Sequence, residues 1–228
     1  MQKQYKAAIF DMDGTILDTL EDLRDALNHS LCEFGYQGNF TADETRPFFG
    51  NGARYAVEHA LAASVGAAEN IDAHVSEETV AEVLAFYKPW YESHCDIKTR
   101  PYAGILDLIS MLKGAGIKTA VVSNKPDPAV QSLCQDYFPD LFDYAAGEKD
   151  GVRRKPSADM LLNSLATLGV PVEQAVYIGD SEVDIQTAQN AGLDCICVDW
   201  GFRTRDHLVR SGAKTIVSSC DELLRLVL

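Results

Sequence analysis

Short apolar runs with few polar interruptions recur along this chain, separated by turn residues and by segments whose apolar positions follow helical spacing. Tyr5-Lys6-Ala7-Ala8-Ile9-Phe10, Ile117-Lys118-Thr119-Ala120-Val121-Val122, Ala175-Val176-Tyr177-Ile178 and Asp194 to Val198 are such runs. Their brevity and β-branched content predict strands covered on both faces of a parallel sheet. Ser157 to Leu168 carries a helical pattern between two of them. From Pro101 and Gly104 onward, strand and helix patterns alternate, which predicts an α/β fold with helices on both faces of the sheet.

The stretch from about Asp18 to Ser93 breaks this alternation and reads as helices only. One helix starts over Glu21 to Asn28, a second covers Ala53 to Ala63 and a third Glu77 to Tyr91. The crossings fall near Leu17 to Leu20 and near Cys95 to Tyr102. The expected division is a core of residues 1–17 and 96–228 with an all-α insert of residues 18–95.

The ends of the predicted strands hold the candidate chemistry. Asp11 and Asp13 stand two residues apart in Phe10-Asp11-Met12-Asp13-Gly14-Thr15, at the tip of the first run. Paired carboxylates at a buried strand end are costly unless a cation or a reaction needs them. In open α/β sheets the ligand crevice lies at such carboxyl ends. The second run ends in Ser123-Asn124-Lys125-Pro126, where a small hydroxyl and following backbone amides can hold a phosphoryl oxygen. Lys155, in Arg153-Arg154-Lys155-Pro156, places a compact cation before a helix. Gly179-Asp180-Ser181-Glu182-Val183-Asp184 brings two more carboxylates to a helix start, a donor set suited to Mg²⁺. Each segment has a plainer reading taken alone: a turn, a helix cap, a solvated lysine, acids favouring a helix dipole. Their occurrence together and in this order, after separate strands, is what points to one site.

Composition narrows the partners. The 228 residues carry a formal net charge of −14 with no basic tract, which argues against nucleic acid or an anionic membrane surface. A phosphate substrate then needs local cations. The six cysteines lie apart except Cys195 and Cys197, which alternate onto one face of their strand as thiols rather than as a disulfide or a metal pair. No signal peptide or long apolar run is evident, so a cytoplasmic enzyme is expected, as monomer or homodimer.

These four ordered segments resemble the haloacid dehalogenase (HAD) superfamily over nearly the whole chain: D-x-D-G-T in Asp11 to Thr15, the hydroxyl Ser123, the lysine Lys155, and G-D-x-x-x-D in Gly179 to Asp184. The resemblance implies a Rossmann-like HAD core with an inserted four-helix cap. It implies Asp11 as the nucleophile that forms an aspartyl-phosphate, with Asp13 as general acid and then base. Thr15, Ser123, Asn124 and Lys155 would bind substrate. Mg²⁺ would sit on Asp11, the Asp13 carbonyl and Asp180, with Asp184 direct or through water. The second Asp of the motif favours phosphate over halide chemistry.

In the insert, Phe48-Phe49-Gly50-Asn51-Gly52-Ala53-Arg54 permits a tight turn into a helix followed by an arginine. Free amides at Asn51 and Gly52 with the Arg54 guanidinium form a reasonable seat for a substrate carboxylate. This segment, Ser123 to Pro126, and Asp199-Trp200-Gly201-Phe202-Arg203 resemble phosphoglycolate phosphatases. The expected activity is hydrolysis of a small phosphate monoester, 2-phosphoglycolate first, with pyrophosphate, sugar phosphates or nucleotides as alternatives. A phosphosugar mutase would carry a histidine soon after the D-x-D motif, and Leu20 to Arg24 has none. A receiver-like signalling module would lack both Asp13 and the insert.

Overall fold

The computed structural model describes residues 4–66 and 75–228. It divides into two compact units, Met1–Asp18 with Arg100–Leu228, and Thr19–Thr99.

The first unit is built on a six-stranded parallel sheet with helices on both faces. Its first strand, β1 (Ala7–Phe10), is buried along its whole length. A two-residue strand, β2 (Leu17–Asp18), leads out of this unit, and β3 (Arg100–Pro101) returns antiparallel to it. Then follow α5 (Ile105–Gly114), β4 (Lys118–Pro126), α6 (Asp127–Tyr137), β5 (Tyr144–Glu148), α7 (Asp159–Leu168), β6 (Ala175–Gly179), α8 (Glu182–Ala191), β7 (Asp194–Val198), α9 (Arg205–Arg210), β8 (Ile216–Val217) and α10 (Cys220–Val227). The strand order is β5-β4-β1-β6-β7-β8.

Alternation along the strands explains why both faces are apolar. Ala7, Ile9, Ala120, Val122, Ala175 and Tyr177 pack with Met160, Leu161 and Leu165 of α7 and Ala188 of α8. Their neighbours Ala8, Phe10, Val121, Val176 and Ile178 are equally buried and point the other way. On that side Phe10 meets Phe142 edge-on, at 6.3 Å between ring centroids.

The topology places the chemistry. From β1 the chain builds outward to β4 and β5 on one side and to β6, β7 and β8 on the other, so β1 sits where the strand order reverses. Phe10 is level with Val121 of β4 and with Ile178 of β6. Asp11, which follows β1, and Asp180, which follows β6, therefore share one edge of the sheet.

The second unit is helical among its described residues: α1 (Leu20–Glu33), the single-turn α2 (Ala42–Thr45), a 3₁₀ turn over Arg46–Phe48, α3 (Ala53–Ser64) and α4 (Glu77–Glu92). The three long helices match the periodicity of the sequence, whereas α2 starts from a capping box between Thr41 and Glu44. The units part at Thr99/Arg100 rather than at the expected 95/96. The cause is local: the Asp22 carboxylate in α1 accepts hydrogen bonds from Lys98 N and Thr99 N, at 2.8 to 3.0 Å, and ties that segment to the helices. No described helix is long and apolar enough to cross a membrane.

Candidate active site

Asp11 lies one residue beyond β1, its amide donating to Ile178 O in continuation of the ladder. Its Oδ1 accepts from Met12 N at 2.7 Å and pairs with Lys155 Nζ at 2.9 Å. Lys155 also reaches Asp184 Oδ1 at 2.8 Å and the Tyr177 hydroxyl at 3.0 Å. The side chains of Lys155, Asp11 and Asp184 are all buried. Burial works against the Lys155 charge, but Asp11 and Asp184 outweigh it and hold the ammonium above its usual range.

Asp184 opens the first turn of α8 in a reciprocal cap with Ser181. Its Oδ2 accepts from Asp180 N, Ser181 N and Ser181 Oγ, the last at 2.6 Å, while Tyr177 donates to Oδ1 at 2.9 Å. Burial pushes this carboxyl up, yet Lys155 and these donors bring it below the usual carboxylate range. Asp180 differs. Burial, with Asp184 and Asp11 nearby, holds it well above the usual range, although Phe202 N donates to its Oδ2 at 2.6 Å. Asp11 is pushed up to about 7, chiefly by burial, against the pull of Lys155.

Carboxylate oxygens of Asp11, Asp180 and Asp184 lie within 4.8 Å of one another. Four acids, with Asp13, face two buried lysines, Lys155 and Lys125. That balance lacks two positive charges, in keeping with the upward push that burial and the neighbouring acids exert on Asp11 and Asp180. A hard divalent cation on oxygen donors fits the deficit. Asp11, Asp180 and Asp184 are the group that could hold it, each also bonded within the protein.

The expected substrate contacts Thr15, Asn124 and Ser123 have partners within the protein. Thr15, fully buried, donates its hydroxyl to Asp180 Oδ1 at 3.2 Å and so orients a carboxylate. Asn124 accepts from Lys155 N at 2.8 Å and donates to Lys155 O at 3.1 Å, which fastens the lysine's backbone. Ser123 was expected before exposed amides; instead β4 continues to Pro126, Ser123, Asn124 and Lys125 are buried, and Ser123 Oγ accepts from Lys125 N at 3.2 Å. The helix expected from Ser157 begins at Asp159, whose amide Ser157 Oγ accepts.

In the helical unit, Gly50 and Gly52 hold positive φ of 107° and 85°, as the tight turn requires, and no side chain caps α3 beside Asn51. Arg54 departs from expectation. Its Nε pairs with Glu58 at 2.7 Å and its terminal nitrogen with both Glu77 oxygens at 2.5 and 2.6 Å.

Three contributors had only weak sequence signals. Tyr177 reads as one more strand residue, but a phenol facing a run of alanines and valines needs a polar partner when buried. Lys125 follows the expected hydroxyl in Ser123-Asn124-Lys125-Pro126 and has no role assigned by the sequence reading, and its Nζ stands 2.7 Å from Asp13 Oδ1. Trp200 donates Nε1 to Thr15 O at 3.1 Å, bracing the D-x-D-G-T loop from the segment after β7.

A strand-end nucleophile candidate, a buried lysine and a trio of convergent acids agree with what sequence comparison finds. The profile of the haloacid dehalogenase-like hydrolases matches residues 8–198. The chain belongs to that family. A phosphoglycolate phosphatase of Psychrobacter arcticus is 34% identical over 85% of this chain and 83% of its own length. Phosphoglycolate phosphatase 1 of Pseudomonas aeruginosa is 29% identical over 96% of this chain and 78% of its own. A solved structure from Lactobacillus delbrueckii subsp. bulgaricus, provisionally designated a phosphoglycolate phosphatase, is 48% identical, covers 99% of both chains and superposes with a TM-score of 0.94. This HAD hydrolase is thus a phosphatase enzyme, and its sheet is the HAD core fold.

Proposed function

We propose that this HAD hydrolase is a Mg²⁺-dependent phosphatase that cleaves 2-phosphoglycolate to glycolate and phosphate through an aspartyl-phosphate on Asp11. The observation that carries the reading is the charge balance at the edge of the sheet, where Asp11 stands between a buried lysine and further acids. Phosphoryl transfer is mainly positioning plus stabilisation of charge on the equatorial oxygens. Asp11, the Asp13 carbonyl and Asp180 would hold the cation, which when bound neutralises phosphoryl oxygens and keeps Asp11 ionised.

Asp11 attacks phosphorus in line, and Asp13 gives its proton to the departing ester oxygen. Water then attacks the aspartyl-phosphate while Asp13 takes back a proton, releasing phosphate and restoring the Asp11 carboxylate. Lys155 and Ser123 hold phosphoryl oxygens, and Asn124 and Asp184 keep Lys155 in place. The helical unit, inserted directly after the nucleophile loop, carries the choice of substrate. The Arg54 guanidinium pairs with Glu58 and Glu77, so its part is to brace the start of α3. The names of the curated relatives support 2-phosphoglycolate over other esters. Scattered cysteines without a disulfide framework support the cytoplasm as its compartment.

Phosphate release is to be measured with Mg²⁺ and with chelator from 2-phosphoglycolate, pyrophosphate, a sugar phosphate and a nucleotide. The expected result is Mg²⁺-dependent turnover with the highest kcat/KM on 2-phosphoglycolate, lost in Asp11→Asn with the fold intact. Near wild-type turnover in Asp11→Asn would remove Asp11 as nucleophile, and flat activity across the esters would remove the substrate while keeping the phosphatase.

A further inference from the structure

Lys125 is a buried cation with an unusual address. Its side chain is 1% exposed, whereas that of its partner Asp13 is 17% exposed. Burying an ammonium costs several kcal/mol unless geometry and partners compensate, so a lysine at this place has a specific task. An apolar residue would have continued β4 more simply.

The backbone around it is arranged to aim it. Pairing between β4 and β5 shifts register between Val122 and Pro126, so Ser123, Asn124 and Lys125 leave the regular ladder. Ser123 Oγ then accepts from Lys125 N, and Asn124 is fastened to the backbone of Lys155. With both preceding residues held, Lys125 Nζ meets Asp13 Oδ1 at 2.7 Å. No hydrogen bond to Asp13 Oδ2 is found among the described residues. One oxygen of the carboxylate is thus gripped from the protein side while the other is left for chemistry.

We propose that Lys125 is the positioning residue for Asp13, fixing which carboxylate oxygen delivers the proton to the ester oxygen and later receives one from water. The inference rests on the reading of Asp13 as general acid and base. In the first half, the P–O ester bond breaks as Asp13 Oδ2 passes its proton to the leaving alkoxide. In the second, water gives a proton to the same oxygen as it bonds to phosphorus and the Asp11–phosphorus bond breaks. Lys125 touches no reacting atom; it removes the rotameric freedom that a carboxylate held from neither side would have.

The test compares esters that differ in their need for an acid. An alkyl phosphate such as 2-phosphoglycolate leaves as a strongly basic alkoxide, whereas p-nitrophenyl phosphate leaves as a stable phenolate. In Lys125→Met, kcat/KM should fall about ten-fold or more further for the alkyl ester than for the aryl ester, since general acid catalysis is worth about 10² to 10⁴. Lys125→Arg, which keeps the charge, should recover part of that ratio and also serves if the methionine variant does not fold. Inhibition by inorganic phosphate should stay near wild type in both. Equal losses on the two esters with weakened phosphate inhibition would overturn the proposal by making Lys125 a phosphate ligand, and an unchanged ester ratio in both variants would overturn it as well. Failure of the wild-type protein to release phosphate from either ester would instead defeat the phosphatase reading, before any lysine variant is compared.

Discussion

Gly14 shows how much of the site depends on a missing methyl group. It holds φ at 78°, and a Cβ built there collides with the carboxylate of Asp180. Left-handed backbone costs an L-residue about 1–2 kcal/mol, and here the collision adds displacement of a candidate metal ligand. Gly14→Ala is therefore expected to lower Tm and, in the same protein, to raise the Mg²⁺ concentration needed for half-maximal activity. A loss of Tm with an unchanged Mg²⁺ requirement would show that Asp180 moves aside without consequence for the metal. The D-x-D-G-T spelling marked Asp11 and Asp13 as candidates from the sequence alone. The partner of each carboxylate was not legible there, because Lys125 and Asp13 lie 112 positions apart.

Among the elements, α1 and the segment before β3 illustrate how a boundary is set. The buried Asp22 accepts two backbone N–H groups, from Lys98 and Thr99, while its neighbour Asp25 pairs at the surface with Lys98 and Arg24. Removing a buried acceptor leaves donors unsatisfied and costs about 1–3 kcal/mol. An exposed ion pair contributes about 0–1 kcal/mol. Urea unfolding should therefore show Asp22→Ala destabilised by about 1–3 kcal/mol, while Asp25→Ala stays within about 1 kcal/mol of wild type. Equal effects would mean that the tether is not what joins residues 96–99 to the helices. Periodicity located α1, α3 and α4, since each carries its own apolar stripe. It placed the boundary several residues early, because the tether is made by a side chain on another element.

At the scale of the whole molecule, the candidate site is expected to couple proton binding, metal binding and stability. Asp11 is pushed up to about 7 by burial, against an unfolded value of about 3.9. The folded chain then binds more protons than the unfolded one between these values. This contribution to stability is fully present below about pH 4 and is lost as pH rises toward 7. Asp180, also raised, acts in the same direction. A divalent cation competes with those protons, so its stabilisation of the native state should grow across the same window and level off above it. Thermal denaturation with Mg²⁺ and with chelator at about pH 5, 6 and 7, within the window, and at about pH 8, above it, checks this. The Mg²⁺-induced rise in Tm should be larger at pH 8 than at pH 5; a rise independent of pH would mean that the carboxylates are ionised before metal arrives. The acidic balance of −14 gives the same lesson more broadly, since an anionic ester needs the local cations gathered at this one edge.

What the sequence by itself determined was the kind of fold, the helical insert and the identity of the acids, hydroxyl and lysine at the strand ends. Apolar periodicity and strand-end chemistry are properties of neighbouring residues, so they survive without coordinates. The tertiary structure decided the pairings: Tyr177 beside Lys155 and Asp184, Lys125 on Asp13, Asn124 on the Lys155 backbone, Arg54 between Glu58 and Glu77. Such contacts depend on strand register, on the bulge after Val122 and on how helix faces meet, and these follow from the packing of the chain as a whole rather than from any local pattern.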